Sequence, residues 1–124
     1  MTRIAILGST GSIGQSALSV VRSHPDRLEV VALGAGNNVE RLAEQARVHR
    51  PALVAVATDG ARAKLRGALA DAVECAPAGT AGLTAVATHP DADIVLCATS
   101  GTTGLDAVLA AIESGKTIAL ANKE

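Results

Sequence analysis

The sequence predicts an α/β fold: a doubly wound, mostly parallel sheet with helices on both faces. Three observations carry the prediction. Short apolar runs alternate with longer stretches of helical periodicity, the order that builds βαβ units. The first apolar run leads directly into a glycine-rich turn and then a helix. The core-forming residues are all aliphatic: 48% of the 124 residues are hydrophobic, aromatic content is 0%, and alanine occurs 26 times. Such side chains suit thin layers, with helices lying close on a sheet.

The elements follow in order. Ile4–Leu7 is a short unbroken apolar run, as a strand buried on both faces requires. Ile13–Arg22 carries apolar residues at Ile13, Ala17, Leu18 and Val21, which is helical spacing, and His24-Pro25 ends it. Leu28–Leu33 reads as a second strand stopped by Gly34 and Gly36, and Val39–Val48 as a helix through Val39, Leu42, Ala43 and Ala46. Pro51 opens a third strand at Leu53–Val56. Thr58 or Asp59 then caps a helix running to about Ala70. Val73–Cys75 is a short strand, Gly79–Ala87 a short helix, Ile94–Cys97 a strong strand, Leu105–Ile112 a clear helix and Thr117–Leu120 a last strand. Right-handed crossovers between parallel strands make such a series doubly wound.

Composition narrows function. A formal net charge of -1 with 19% charged residues gives no basic field for nucleic acid, and the absence of rings removes base-stacking platforms. No apolar run approaches the ~18 residues that cross a bilayer. Neither a nucleic-acid nor a membrane partner is expected. Cys75 and Cys97 stand in apolar surroundings without metal-ligand spacing, and read as reduced small hydrophobes in a reducing compartment. No signal or transit peptide precedes the first strand, so a bacterial cytoplasmic location is expected. His24, His49 and His89 read as surface or helix-end residues, and the helix bearing Arg62, Lys64 and Arg66 as a solvated face.

The first turn, Gly8-Ser9-Thr10-Gly11-Ser12-Ile13-Gly14, is G-x-x-G-x-x-G. It lacks the glycine at position 10 of the commoner G-x-G-x-x-G, but the mechanics are similar: a tight strand-to-helix turn without Cβ atoms where phosphate oxygens approach the backbone. Amides of Ser12 and Ile13 face outward at the positive end of the helix dipole, and Thr10 and Ser12 add hydroxyls. A dinucleotide pyrophosphate is the natural guest, in a Rossmann-type domain; the alternative is a purely structural turn. No G-K-[ST] follows, so this is not a P-loop. After the second strand, Leu33-Gly34-Ala35-Gly36-Asn37-Asn38 holds no acid to grip a ribose 2′-hydroxyl. Gly36, Asn37 and Asn38 instead offer donors to a 2′-phosphate, Arg41 adds charge, and NADP is preferred over NAD. Asn38 also suits a helix cap. The last strand gives way to Asn122-Lys123-Glu124, either a solvated tail or groups in the ligand crevice. There Lys123 would hold a phosphate or polarised oxygen, and Glu124 would orient it or bond a ribose or amide. Truncation directly after this triplet is expected.

Together, Ile6-Leu7-Gly8-Ser9-Thr10-Gly11-Ser12-Ile13-Gly14 and Gly115-Lys116-Thr117-Ile118-Ala119-Leu120-Ala121-Asn122-Lys123-Glu124 closely resemble the 1-deoxy-D-xylulose-5-phosphate reductoisomerase family. Val30-Val31-Ala32-Leu33 and Gly101-Thr102-Thr103-Gly104-Leu105 extend the resemblance, which covers the whole chain and about the first third of a typical member. It implies the NADPH-binding part, residues 1–124, of an enzyme that makes 2-C-methyl-D-erythritol 4-phosphate in non-mevalonate isoprenoid biosynthesis. It further implies that Thr10, Gly11, Ser12 and Ile13 contact the NADPH phosphates. Gly36, Asn37 and Asn38 would form the 2′-phosphate loop, Asn122 and Glu124 would face the cofactor, and Lys123 would touch the sugar-phosphate substrate. Some members carry lysine where this chain has Asn37, which removes a charge from that loop. The Ala98-Thr99-Ser100-Gly101 loop is expected to line the cofactor groove.

The family's Mg²⁺ or Mn²⁺ ligands are expected downstream of Glu124, so neither a metal site nor a catalytic residue is expected within the chain. Homodimerisation is expected of the full-length protein. Two alternatives share the glycine-rich opening. One is the cofactor domain of an NADP-dependent semialdehyde or homoserine dehydrogenase. The other is a non-enzymatic nucleotide- or CoA-binding module.

Overall fold

Side chains of a strand point alternately to its two faces, so a run that is apolar at every position needs a hydrophobic layer on each side. The chain supplies both. A computed structural model describes residues 1–69, 73–99 and 104–121. In order, its elements are β1 (Thr2–Leu7), α1 (Ser12–Ser23), β2 (Leu28–Gly34), α2 (Val39–His49), β3 (Leu53–Ala55) and α3 (Asp59–Leu69). β4 (Glu74–Cys75), α4 (Thr80–Ala87), β5 (Ile94–Cys97), α5 (Leu105–Glu113) and β6 (Thr117–Leu120) complete them. The alternation and the doubly wound parallel sheet expected from the sequence are both present.

Ile6, Val30, Leu33 and Val54 pack with Leu18, Val21, Leu42, Ala46 and Leu65, so α1, α2 and α3 cover one face. Ala5, Leu7, Val31, Leu53, Val95 and Cys97 pack with Leu83, Val86, Val108 and Ala111, so α4 and α5 cover the other. The layers are thin, as the aromatic-free composition implies. A Cβ on Gly82 of α4 would stand 3.1 Å from the Ala55 Cβ on β3 and 2.0 Å from the Pro77 carbonyl oxygen. Part of α5 lacks such cover: Leu105, Leu109 and Ile112, one stripe at helical spacing, stay exposed, as does Leu120 on β6.

The strand order is β4-β3-β2-β1-β5-β6, with every pairing parallel. From β1 the chain winds outward through β2, β3 and β4, then returns to the other side of β1 for β5 and β6. The winding therefore reverses between β1 and β5, the topological switch point where ligands of open α/β sheets bind, beyond the carboxyl ends of the strands. Register aligns those ends: Leu7 pairs with Gly34 and with Cys97, Gly34 with Ala55, and Cys97 with Leu120. The loops opening at Gly8, Ala35, Val56 and Ala98 consequently share one edge.

Candidate functional site

The turn after β1 is held from three sides. The amides of Gly8 and Ser9 both donate to the Gly34 carbonyl, at 2.8 and 3.0 Å, tying it to the end of β2. Gly8 has φ +85°, which an L side chain rarely adopts, and a Cβ there would lie 2.8 Å from the Ala98 carbonyl group after β5. Gly14 lets α1 sit on the turn, since its Cβ would fall 2.3 Å from the Gly8 oxygen. Two of the three glycines thus seat the turn against its neighbours. Gly11 is the α1 N-cap without a side-chain cap, and its φ of -77° is open to any residue.

Backbone amides and side chains then take up the turn's oxygens. The Gly8 carbonyl accepts from the Gly11 amide (3.3 Å) and the Gly11 carbonyl from Gln15 (2.9 Å). Gln45 Nε2 donates to the Ser9 carbonyl (2.8 Å) and Gln15 Nε2 to that of Thr10 (2.9 Å). Arg41 donates its guanidinium to Gln15 Oε1, so the cation expected to face a ligand braces the turn instead. With the carbonyls of residues 8 to 11 occupied, the amides of Thr10, Ser12 and Ile13 are left without an acceptor among the described residues. A row of free N–H donors at a helix start attracts an anion, and α1 adds the positive end of its dipole. Ser9 is fully buried, and neither its hydroxyl nor Gln45 Oε1 finds a partner among the described residues.

The second loop, Gly36–Asn38, is exposed at the same edge. Ala35 donates to the Ala55 carbonyl (2.9 Å) and Ala57 to that of Gly36 (3.0 Å), binding the loop to β3 and its exit. Asn38 caps α2 by accepting the Arg41 amide at 3.2 Å, while its side-chain nitrogen stays available. The cap and the ligand-facing reading of Asn38 are therefore compatible. From Asn37 and Asn38 an open groove of about 960 Å³ runs between α2 and α3, past Glu44, Arg47 and Lys64.

Of the remaining expected positions, Ala98 and Thr99 follow β5 beside Gly8, and the Ala121 amide bonds the Cys97 carbonyl at 2.9 Å. Ser100, Gly101, Thr102, Thr103, Asn122, Lys123 and Glu124 lie outside the described residues. One expectation needs correcting. Arg62 is not merely solvated: its guanidinium donates to the Ala76 and Cys75 carbonyls, at 2.8 and 3.1 Å, across the end of β4. Both cysteines are free, Cys97 buried and Cys75 half-buried. Burial raises the Cys75 thiol pKa against the opposing pull of Arg62 and Arg66. His49, at the end of α2, titrates below its ordinary value because of burial and then the charge of Arg22. Gln15 and Gln45 are contributors the sequence reading missed, and Thr58 reads in the sequence only as a helix cap. Gln15 lies in the first turn of α1, Gln45 in the middle of α2 and Thr58 just before α3, and only the fold reveals their partners. Among the described residues, no group of three or more His, Cys, Asp or Glu could hold a metal ion, and no helix is long and apolar enough to cross a membrane.

The model of one protein family, 1-deoxy-D-xylulose 5-phosphate reductoisomerase, matches residues 4–124. The chain is 56% identical to the protein of that name from Symbiobacterium thermophilum over 98% of this chain and 32% of the relative. It is 49% identical to the chloroplastic protein of Oryza sativa subsp. japonica over 98% of this chain and 26% of the relative. Among solved structures, the reductoisomerase of Zymomonas mobilis in complex with NADPH superimposes with a TM-score of 0.91 at 41% identity, covering 98% of this chain and 32% of that one. A reductoisomerase in complex with NADPH, fosmidomycin and magnesium gives 0.92 at 37% identity, covering 100% and 31%. The chain thus spans about a third of the length of the first two bacterial relatives it matches, 32% in each case.

Proposed function

The chain belongs to the 1-deoxy-D-xylulose 5-phosphate reductoisomerase family, and on that footing we propose that residues 1–124 are its NADPH-binding, Rossmann-type domain. The observation that carries this reading is the turn at the switch point: its carbonyls are occupied, and the amides of Thr10, Ser12 and Ile13 have no acceptor among the described residues. Thr10, Gly11, Ser12 and Ile13 hold the pyrophosphate. Gly36, Asn37 and Asn38 hold the 2′-phosphate, Asn122 and Glu124 face the cofactor, and Lys123 meets the sugar-phosphate substrate. Gly8 and Gly14 seat the turn tightly against the loop after β5 and against α1, and a turn so placed suits a pyrophosphate bound by backbone amides.

In the whole protein, the activity is conversion of 1-deoxy-D-xylulose 5-phosphate to 2-C-methyl-D-erythritol 4-phosphate, for which bound NADPH supplies the hydride. This chain's residues position the dinucleotide and hold its phosphates by N–H donors. Among the described residues no group of three or more His, Cys, Asp or Glu could hold Mg²⁺ or Mn²⁺, and we assign the metal ligands to other parts of the whole protein. A homodimer in the bacterial cytoplasm completes the proposal.

Calorimetric titration of the 124-residue chain with NADPH, NADH and CoA tests it. NADPH should bind most tightly, and the chain alone should not turn over substrate. Binding of CoA without NADPH would defeat the reading in favour of a CoA module, and turnover by the chain alone would defeat the assignment of catalysis to downstream sequence.

A further inference from the structure

We propose that Thr58 sets the preference for a 2′-phosphorylated dinucleotide by fixing the side-chain amide of Asn37. The inference rests on the assignment of Gly36–Asn38 to the 2′-phosphate and goes beyond it to a residue on another element. The loop holds five oxygens, and each is occupied from within the protein. The carbonyls of Gly36, Asn37 and Asn38 accept from the amides of Ala57 (3.0 Å), Val39 (2.9 Å) and Leu42 (3.1 Å). Asn38 Oδ1 accepts from the Arg41 amide at 3.2 Å, and Asn37 Oδ1 from the Thr58 hydroxyl at 3.2 Å. Each oxygen thus already has a donor, and the groups of the loop left without a partner among the described residues are N–H donors.

Four of these five bonds come from backbone amides. The fifth depends on one hydroxyl, and that hydroxyl is itself held in place. Thr58 Oγ1 accepts the Ala61 amide at 3.2 Å as the cap of α3, so its own proton is the one directed at Asn37. An amide group has two ends, and either can face a ligand. Donation from Thr58 engages the oxygen and leaves both N–H bonds of Asn37 Nδ2 for an anion. Without that bond the carboxamide can turn over and present its oxygen, which repels phosphate. A neutral loop would in this way favour a phosphate dianion over a hydroxyl, which can donate to an oxygen as readily as it accepts. Thr58 is a positioning residue, and it acts through Asn37.

The experiment is calorimetric titration of NADPH and NADH into the chain and into five variants: Thr58→Ser, Thr58→Val, Thr58→Asp, Asn37→Ala and the Asn37→Ala/Thr58→Val double variant. Thr58→Val should weaken NADPH binding about 3- to 10-fold, the net worth of one hydrogen bond, and leave NADH binding within about twofold. Thr58→Ser should restore NADPH binding. Thr58→Asp keeps a helix cap and hence the fold, but an ionised carboxylate cannot donate, so it should lose at least as much NADPH affinity as Thr58→Val. In the Asn37→Ala background, Thr58→Val should have no further effect on NADPH. Equal loss of both dinucleotides in Thr58→Val, retained selectivity in Thr58→Asp, or full additivity in the double variant would overturn the proposal. A parent chain that binds neither dinucleotide would instead overturn the cofactor reading and the proposal with it.

Discussion

Replacing Gly14 by alanine should separate the two jobs of the glycine-rich turn. The new Cβ would lie 2.3 Å from the Gly8 oxygen, 2.6 Å from Ser9 Cα and 2.7 Å from the Ser9 carbonyl carbon. All three are backbone atoms of a turn already pinned to Gly34 and wedged against Ala98, so no flexible side chain can give way. Overpacking of this kind costs about 1–3 kcal/mol, and three simultaneous backbone clashes put the site at the upper end. Gly14 lies inside α1, where alanine returns about 1 kcal/mol of helix propensity. The net is a destabilisation of about 2 kcal/mol, or a fall in Tm of roughly 6–12 °C for a chain of this length. Gly11→Ala is the control. Its Cβ meets only the Gly8 oxygen, at an ordinary 3.6 Å, and its φ suits alanine. It should melt within about 2 °C of the parent, while its methyl group hinders phosphate approach and weakens NADPH binding. Circular-dichroism melts of both variants, with NADPH titrations, read the two effects. A Gly14→Ala variant melting at or above the parent temperature would refute the packing argument.

Three further outcomes follow from the same geometry. Gln45→Glu should cost about 2 kcal/mol in urea denaturation, because a carboxylate would face the Ser9 carbonyl, whereas Gln45→Leu should cost less than about 1, since it also removes the unpartnered Oε1. The opposite ranking would contradict the hydrogen-bond assignment. Arg62→Ala should lose about 1–3 kcal/mol by freeing the Cys75 and Ala76 carbonyls, and a loss no greater than that of Arg66→Ala would return Arg62 to the solvated face. His49 is held below its ordinary pKa in the fold, so the unfolded chain takes up its proton first as pH falls. Its contribution to stability is complete above the unfolded value of about 6.5 and is lost as pH drops through the folded one. His49→Gln should therefore flatten the decline in Tm between about pH 7.5 and 5.5, and an unchanged slope would count against it.

Most of the fold was legible because its signals are local. Unbroken runs such as Ile94–Cys97 leave only a doubly covered strand as a reading, and the turn glycines mark where strand gives way to helix. Helical spacing was less informative about burial. On α5 it identifies Leu105, Leu109 and Ile112 as one stripe but cannot say that the stripe stays exposed. The site was legible to the extent that it is backbone. The glycines announce the turn and Asn38 announces its cap, whereas the braces join residues distant in sequence, Gln45 to Ser9 and Thr58 to Asn37. Arg41 shows the cost of reading charge without geometry, since its guanidinium is engaged by Gln15. Arg62 makes the same point on α3, where an apparently solvated cation reaches two strand-end carbonyls.

The central claim is that free amides at the switch point receive the dinucleotide phosphates. Backbone amide shifts of the ¹⁵N-labelled chain, followed during NADPH titration, test it residue by residue. The account predicts the largest shifts at Thr10, Gly11, Ser12 and Ile13, with a second set at Gly36, Asn37 and Asn38 that NADH reproduces only weakly. Shifts confined to the α2–α3 groove around Glu44, Lys64 and Ala68, with the turn unmoved, would contradict it.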